Sequence, residues 1–277
     1  MHLEQVRLHY VTAGYSPGVK EAVVLLHGWP QSWYEWRHLM PELATGGRTV
    51  VAVDLRGLGD SSKPAGGFDK KTLADDVAQL LHQLGLERVV VVGHDWGGAV
   101  AAALALQYRQ LIIRLVLLDI VIPGIPLPGI GDGLAGYWHM QFHQVADLPE
   151  ALVQGREAVY ISWFFNNFAF NPAAFNAADI AEYTRCASQP GALRCGFGYY
   201  RCLQEDAQFF SSVAEQKLGI PVLALGGEQS IGAGVKLCAE QFATNVEGGV
   251  VEQCGHWIPE ERPVVLLEWL NGFIRFE

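Results

Sequence analysis

The sequence predicts an α/β fold on a mostly parallel sheet, and three observations carry that reading. Short apolar runs at Ala22–Leu26, Thr49–Asp54, Arg88–Gly93 and Leu111–Asp119 each stop at a glycine or a polar residue. Runs without alternation suit strands covered on both faces. Between two of them, Leu73, Val77, Leu80, Leu81 and Leu84 recur at helical spacing. Third, Val89-Val-Val-Val-Gly-His-Asp-Trp-Gly-Gly98 passes from a buried strand through a sharp turn into a segment rich in Ala, Val and Leu. Strands alternating with helices define the class.

In chain order, Val6 to Thr12 alternates and reads as a strand at the sheet's edge. The helix Thr72–Leu84 has Thr72 as its expected cap, Asp75 and Asp76 in its first turn and Gly85 at its end. The pattern breaks after Ile122. The run Pro123-Gly-Ile-Pro-Leu-Pro-Gly-Ile-Gly-Asp-Gly133 reads as a loop leaving the sheet. Nine aromatic residues then fall between 137 and 170, about a quarter of that segment against 11% of the chain. They fit either the small core of a cap or the apolar roof of a pocket. Parallel-strand character resumes at Ile220–Leu225 and near Val250-Val251. We therefore expect a core of residues 1–122 and 216–277, with a helical cap inserted at 123–215.

At 277 residues and 50% apolar content the chain can bury a large core. Its net charge of −10 argues against nucleic acid or an acidic membrane as partner. No signal peptide is visible and no apolar run spans a bilayer, so a cytoplasmic location is the expectation. Five cysteines (186, 195, 202, 238 and 254), odd in number and without metal-site spacing, read as reduced thiols.

The strand–turn–helix Gly93-His-Asp-Trp-Gly97 has the layout of a nucleophile elbow, written G-x-S-x-G in hydrolases of the α/β type, with Asp95 at the apex. A carboxylate is already an anion at neutral pH, and attack on a saturated carbon turns it into its own alkyl ester. Asp95 therefore points to epoxides or carbon–halogen bonds, and away from esters and peptides. The base expected later in the chain is His256, in Gln253-Cys-Gly-His-Trp-Ile-Pro-Glu-Glu-Arg-Pro263. Two carboxylates compete to orient it, Asp119 at the end of Leu115-Val-Leu-Leu-Asp and Glu228 in Gly226-Gly-Glu-Gln-Ser230. The shorter Asp119, fixed at the end of a buried strand, is the favoured one. In the turn His27-Gly28-Trp29-Pro30, the backbone N–H of Trp29 is expected to join that of Trp96 in holding an oxyanion, and Pro30 is a candidate for a cis bond. Asp54 and Arg56, in Asp54-Leu-Arg-Gly-Leu-Gly-Asp-Ser61, read as a pinned structural loop.

Together His27-Gly-Trp-Pro30, Gly93-His-Asp-Trp-Gly-Gly98 and Gly255-His-Trp-Ile-Pro-Glu-Glu-Arg-Pro263 closely resemble α/β-hydrolase-fold epoxide hydrolases, over nearly the whole chain. The resemblance implies an eight-stranded sheet flanked by helices, with a helical cap between the sixth and seventh strands. It also implies that Tyr200, in Tyr199-Tyr-Arg201, grips the epoxide oxygen. In the subgroup whose acid follows the sixth strand, a Trp-His pair early in the cap partners that Tyr, which implicates His139 with His143 as the fallback. The implied reaction takes a lipophilic epoxide and water to a vicinal diol through an ester on Asp95, without metal or organic cofactor. A homodimer is compatible with the sequence.

Two other readings compete. Haloalkane and haloacetate dehalogenases share the Asp elbow and the His base, and Trp96 suits a halide. The haloacetate enzymes, however, clamp their substrate with arginines where this chain has Trp96 and Ala99, and an unpaired buried carboxylate costs several kcal/mol. A hydrolase fold used as a non-catalytic ligand receptor is the third reading.

Overall fold

The computed structural model describes residues 1–127 and 137–276, so the expected loop Pro123–Gly133 lies outside the described residues from 128 onward. Seven strands form one sheet: β1 (Tyr10–Ala13), β2 (Glu21–Leu26), β3 (Val50–Val53), β4 (Arg88–His94), β5 (Ile112–Leu118), β6 (Leu218–Gly227) and β7 (Ala243–Val251). Their order is β1-β3-β2-β4-β5-β6-β7, with β1 antiparallel to β3 and every other pairing parallel.

Helices α1 (Met40–Leu43), α2 (Lys70–Gln83) and α3 (Trp96–Gln107) belong to the first half of the chain. Between β5 and β6 come α4 (Trp138–Phe142), α5 (Leu148–Val153), α6 (Glu157–Phe168), α7 (Ala177–Ala187), α8 (Ala192–Arg201) and α9 (Leu203–Val213). Helix α10 (Gly234–Phe242) links β6 to β7, and α11 (Ile258–Glu261) and α12 (Pro263–Phe273) close the chain. Among the described residues no helix is long and apolar enough to cross a membrane. All five cysteines are free.

The strands read as unbroken apolar runs because both faces are buried. Val24 and Leu26 of β2 join a core with α2, α3 and α10, while Val23 and Leu25 pack on the opposite face against α1 and α12. Each fully buried aliphatic side chain contributes about 1.5–3 kcal/mol. Helix α3 is buried on every side, as its Ala-rich sequence without a polar stripe requires.

Three expectations need correction. The sheet has seven strands among the described residues, not eight, so the helical insertion lies between β5 and β6 rather than between the sixth and seventh strands, and Asp119 follows β5. Residues 1–8 instead fold back on themselves through a His2–Arg7 bridge and the Leu8 N–H to Met1 carbonyl bond of 3.0 Å. The strand expected at Val6–Thr12 consequently begins only at Tyr10. Val6 and Leu8 are buried as their alternation suggests, but the neighbouring Arg7 and His9 N–H groups go to Ser62 and Ser61 in a loop. Helix α2 starts two residues early: Asp69, not Thr72, caps it by accepting the Thr72 N–H at 2.8 Å. Asp75 and Asp76 therefore lie beyond the first turn, and Asp76 forms a buried bidentate pair with Arg56 at 2.6 and 2.7 Å.

Candidate active site

The loops after β2, β4, β5 and β7 meet at the carboxyl edge of the sheet, beside the β2–β4 junction where the strand order reverses, the usual location of a site in open α/β sheets. Between β4 and α3 the chain turns so sharply that Asp95 takes φ 49° and ψ −129°. That sparsely populated region costs about 1–3 kcal/mol and is tolerated where surrounding bonds enforce it. Here the Asp95 N–H donates to the Leu118 carbonyl (3.1 Å), and the Asp95 carbonyl accepts the Gly98 N–H (2.8 Å).

The turn after β2 closes over this apex. The Trp29 N–H donates to Asp95 Oδ1 at 2.9 Å, and the Trp29–Pro30 bond is cis. Position 28 must be glycine, since a Cβ there would lie 2.4 Å from the Asp95 Cβ. His27 is buried beneath the turn, accepting the Leu55 N–H at Nε2 (3.1 Å) while Nδ1 donates to the Gly28 carbonyl (2.8 Å).

His256, in the loop after β7, sets Nε2 3.6 Å from Asp95 Oδ2 and donates from Nδ1 to Asp119 Oδ2 at 2.6 Å. Asp119 is fully buried just past β5 at φ 44°. Its Oδ1 accepts the Gly227 N–H (2.8 Å), and its Oδ2 also accepts the Ser230 hydroxyl (2.5 Å). The competing carboxylate, Glu228, is exposed and accepts the Gln253 N–H at 2.8 Å, so it is not brought to His256.

A cavity of about 280 Å³ opens above these groups, walled by Asp95, Trp96, Asp119 and His256 from the sheet side and by His139 and Tyr200 from the insertion. Tyr200 is buried, and burial followed by the nearby Asp95 charge holds its phenol well above the usual range, so it stays protonated. His139 packs edge-on to Tyr200 at 5.9 Å, and its buried Nδ1 has no partner among the described residues. Burial and then His256 pull the His139 pKa down to about 4, leaving a neutral ring at pH 7. The fallback, His143, lies closer to Tyr200, edge-on at 4.4 Å, but outside the cavity lining: it bonds the Tyr160 hydroxyl at 2.6 Å and stacks on Phe197.

The aromatic segment 137–170 divides between the two roles expected of it. Tyr137 and Phe168 line the cavity, whereas Phe165 packs on Tyr183 and Trp257. Arg56 and Asp54 lie outside the cavity lining; Asp54 accepts the Trp33 and Asp60 N–H groups at 2.7 and 2.8 Å.

Several residues with a part in this arrangement were not singled out in the sequence. Ser230 is one. His94 is another, fully buried, with Nε2 donating to the His256 carbonyl (2.8 Å) and Nδ1 3.0 Å from Glu35. Burial opposes its charge, but Glu35 and then Asp95 and Asp119 outweigh it and hold the pKa at about 9. Glu261 is the third.

Comparison with known proteins identifies the family. The alpha/beta hydrolase fold family matches residues 21–263. A soluble epoxide hydrolase from Corynebacterium sp. (strain C12) is 45% identical over 269 residues, covering 95% of this chain and 91% of that protein. The solved epoxide hydrolase CorEH, without ligand, superposes with a TM-score of 0.89 at 43% identity, covering 98% of this chain and 95% of that one. Wild-type Cfl2 from Burkholderia cenocepacia gives a TM-score of 0.91 at 40% identity, over 98% and 93% of the two chains. The fold, the apex aspartate and these relatives agree: this chain belongs to the alpha/beta hydrolase fold family and, within it, to the epoxide hydrolases.

Proposed function

We infer that the protein hydrolyses lipophilic epoxides to vicinal diols through a covalent ester on Asp95. The observation that carries this is the division of labour at one carboxylate: Oδ1 is tied to the Trp29 N–H, while Oδ2 faces His256 Nε2 across 3.6 Å. The oxygen not held by Trp29 attacks a ring carbon, the C–O bond breaks, and the departing oxygen takes the Tyr200 proton. His139 supports that donor as a neutral imidazole. Without a donor a strongly basic alkoxide would have to leave, and general acid assistance of this kind is worth about 10²–10⁴-fold.

The ester's carbonyl oxygen is then Oδ1, already within reach of the Trp29 N–H. Water loses a proton to His256 Nε2 and adds to that carbonyl carbon. The negative oxygen is held by Trp29 and by the Trp96 N–H that opens α3, whose positive end points the same way. Collapse releases the diol and restores the carboxylate, and the His256 proton returns through the diol oxygen and solvent to the phenoxide of Tyr200. Asp119 keeps the Nδ1–H tautomer throughout, so that Nε2 is the basic nitrogen. Residues 123–215 act as the cap, supplying both cavity groups that meet the leaving oxygen. A volume of about 280 Å³ with Tyr137, Met140, Phe168 and Ile231 in its wall favours compact, apolar epoxides.

A single turnover of styrene oxide in heavy-oxygen water tests the route. The label is expected in the Asp95 carboxylate and not in the diol. Label appearing in the first-formed diol would mean that water attacks the epoxide directly.

A further inference from the structure

We propose that Glu261 is a positioning residue that fastens the end of α6 to the His256 loop, so that the base is in register only with that wall of the cavity seated. Its two oxygens face different parts of the chain. Oε1 accepts the Gly255 and Trp257 N–H groups at 3.0 and 3.2 Å, the two amides that flank His256. Oε2 accepts the Phe170 and Asn171 N–H groups at 2.7 and 3.1 Å, just past α6.

Two further contacts stitch the same seam. The His256 N–H donates to the Phe168 carbonyl at 2.8 Å. A Cβ at position 255 would lie 2.2 Å from that carbonyl oxygen, so only glycine lets the two segments approach this closely. Phe168 and His256 both line the cavity. Both segments are irregular backbone, and the part-buried Gly255 and Trp257 N–H groups need partners, whereas Phe170 and Asn171 are exposed. One ionised acceptor satisfies all four N–H groups, with bonds stronger than neutral ones. Glu261 touches neither substrate nor reacting atoms, and acts through His256.

A Glu261→Gln variant keeps the shape of the side chain but turns one oxygen into an NH₂ group that faces two N–H donors. One side of the seam must then open. Because ester hydrolysis needs His256 and ester formation does not, hydrolysis of the Asp95 ester is expected to slow by about 10²-fold, a loss that a 1 Å misplacement can produce. Ester formation should fall by less than about tenfold, and the ester should accumulate in intact-mass spectra during styrene oxide turnover. An equal fall in both half-reactions, or no fall in either, would overturn the proposal.

This kinetic arm rests on the epoxide hydrolase reading; amide hydrogen exchange without substrate does not. Residues 170–171 and 255–257 should lose protection together in Glu261→Gln, whereas loss in one segment alone, or in neither, would overturn the coupling. A wild-type protein inert toward epoxides but with coupled exchange would contradict the function and leave the seam standing.

Discussion

Replacing Asp119 with asparagine should stop the second half of the reaction and spare the first. The outcome follows from how the carboxylate is held. Its Oδ1 accepts the Gly227 N–H at 2.8 Å, so an asparagine keeps its oxygen there and turns its NH₂ toward His256 and Ser230. A donor then faces Nδ1, which now donates across 2.6 Å. The imidazole must move its proton to Nε2, and a protonated Nε2 cannot accept one from water. The equivalent exchange in a serine-protease triad costs about 10⁴-fold, and a loss of about 10³–10⁴-fold in ester hydrolysis is expected here. Asparagine tolerates the positive φ of 44°, so the fold should survive. Rapid-quench intact mass with styrene oxide should show ester forming at close to the wild-type rate and persisting. Glu228→Gln, at an exposed position, should turn over within about twofold of wild type, since such surface changes are usually worth less than 0.5 kcal/mol. Asp119→Asn turning over within tenfold of wild type, or Glu228→Gln trapping ester, would refute the assignment.

Three other changes are informative. Tyr200→Phe should slow ester formation by about 10²–10⁴-fold while leaving hydrolysis of the formed ester unchanged, a split visible in single-turnover kinetics. Gly28→Ala places a Cβ 2.4 Å from the Asp95 Cβ, so overpacking should cost about 1–3 kcal/mol in denaturant titration and displace the nucleophile; wild-type stability and rate would contradict the packing. His139, held at about 4 by burial and then by His256, titrates near 6.5 when unfolded. Between those values the unfolded chain binds the extra proton, so stability is lost as pH falls from about 6.5 toward 4, by up to about 3 kcal/mol. His139→Gln should lessen the dependence of unfolding free energy on pH across that window, leaving the share of the likewise buried His143, and an unchanged slope would count against the buried neutral ring.

The sheet and its chemistry were legible because burial on both faces writes itself as unbroken Val and Leu runs, and the sharp turn at Asp95 admits few residues around it. Ends were less legible. The alternation at Val6 and Leu8 reports burial faithfully, yet their neighbours' N–H groups pair with Ser61 and Ser62, which no local pattern announces. Helix α2 begins with Lys70, fully buried against Asp206 at 2.8 Å, a pairing across the chain that no local pattern announces. The groups supporting the site were hidden for a related reason. Ser230, Glu35 and Glu261 act through bonds to residues far away in the chain, such as Asp119 and Phe170. A carboxylate that satisfies distant backbone amides has no spacing signature. The one available hint was a pair of acidic residues, Glu260 and Glu261, beside apolar Trp257, Ile258 and Pro259, where a purely solvated role was unneeded.

The central claim, that Asp95 becomes covalently attached to the opened epoxide, is tested most directly by the intact mass of a His256→Gln variant exposed to styrene oxide and, separately, to a bromoalkane. The mechanism predicts a gain equal to the whole epoxide that disappears when Asp95 is also changed to Asn. No gain from the epoxide, with only an alkyl group added from the bromoalkane, would contradict it and assign the same aspartate to dehalogenation.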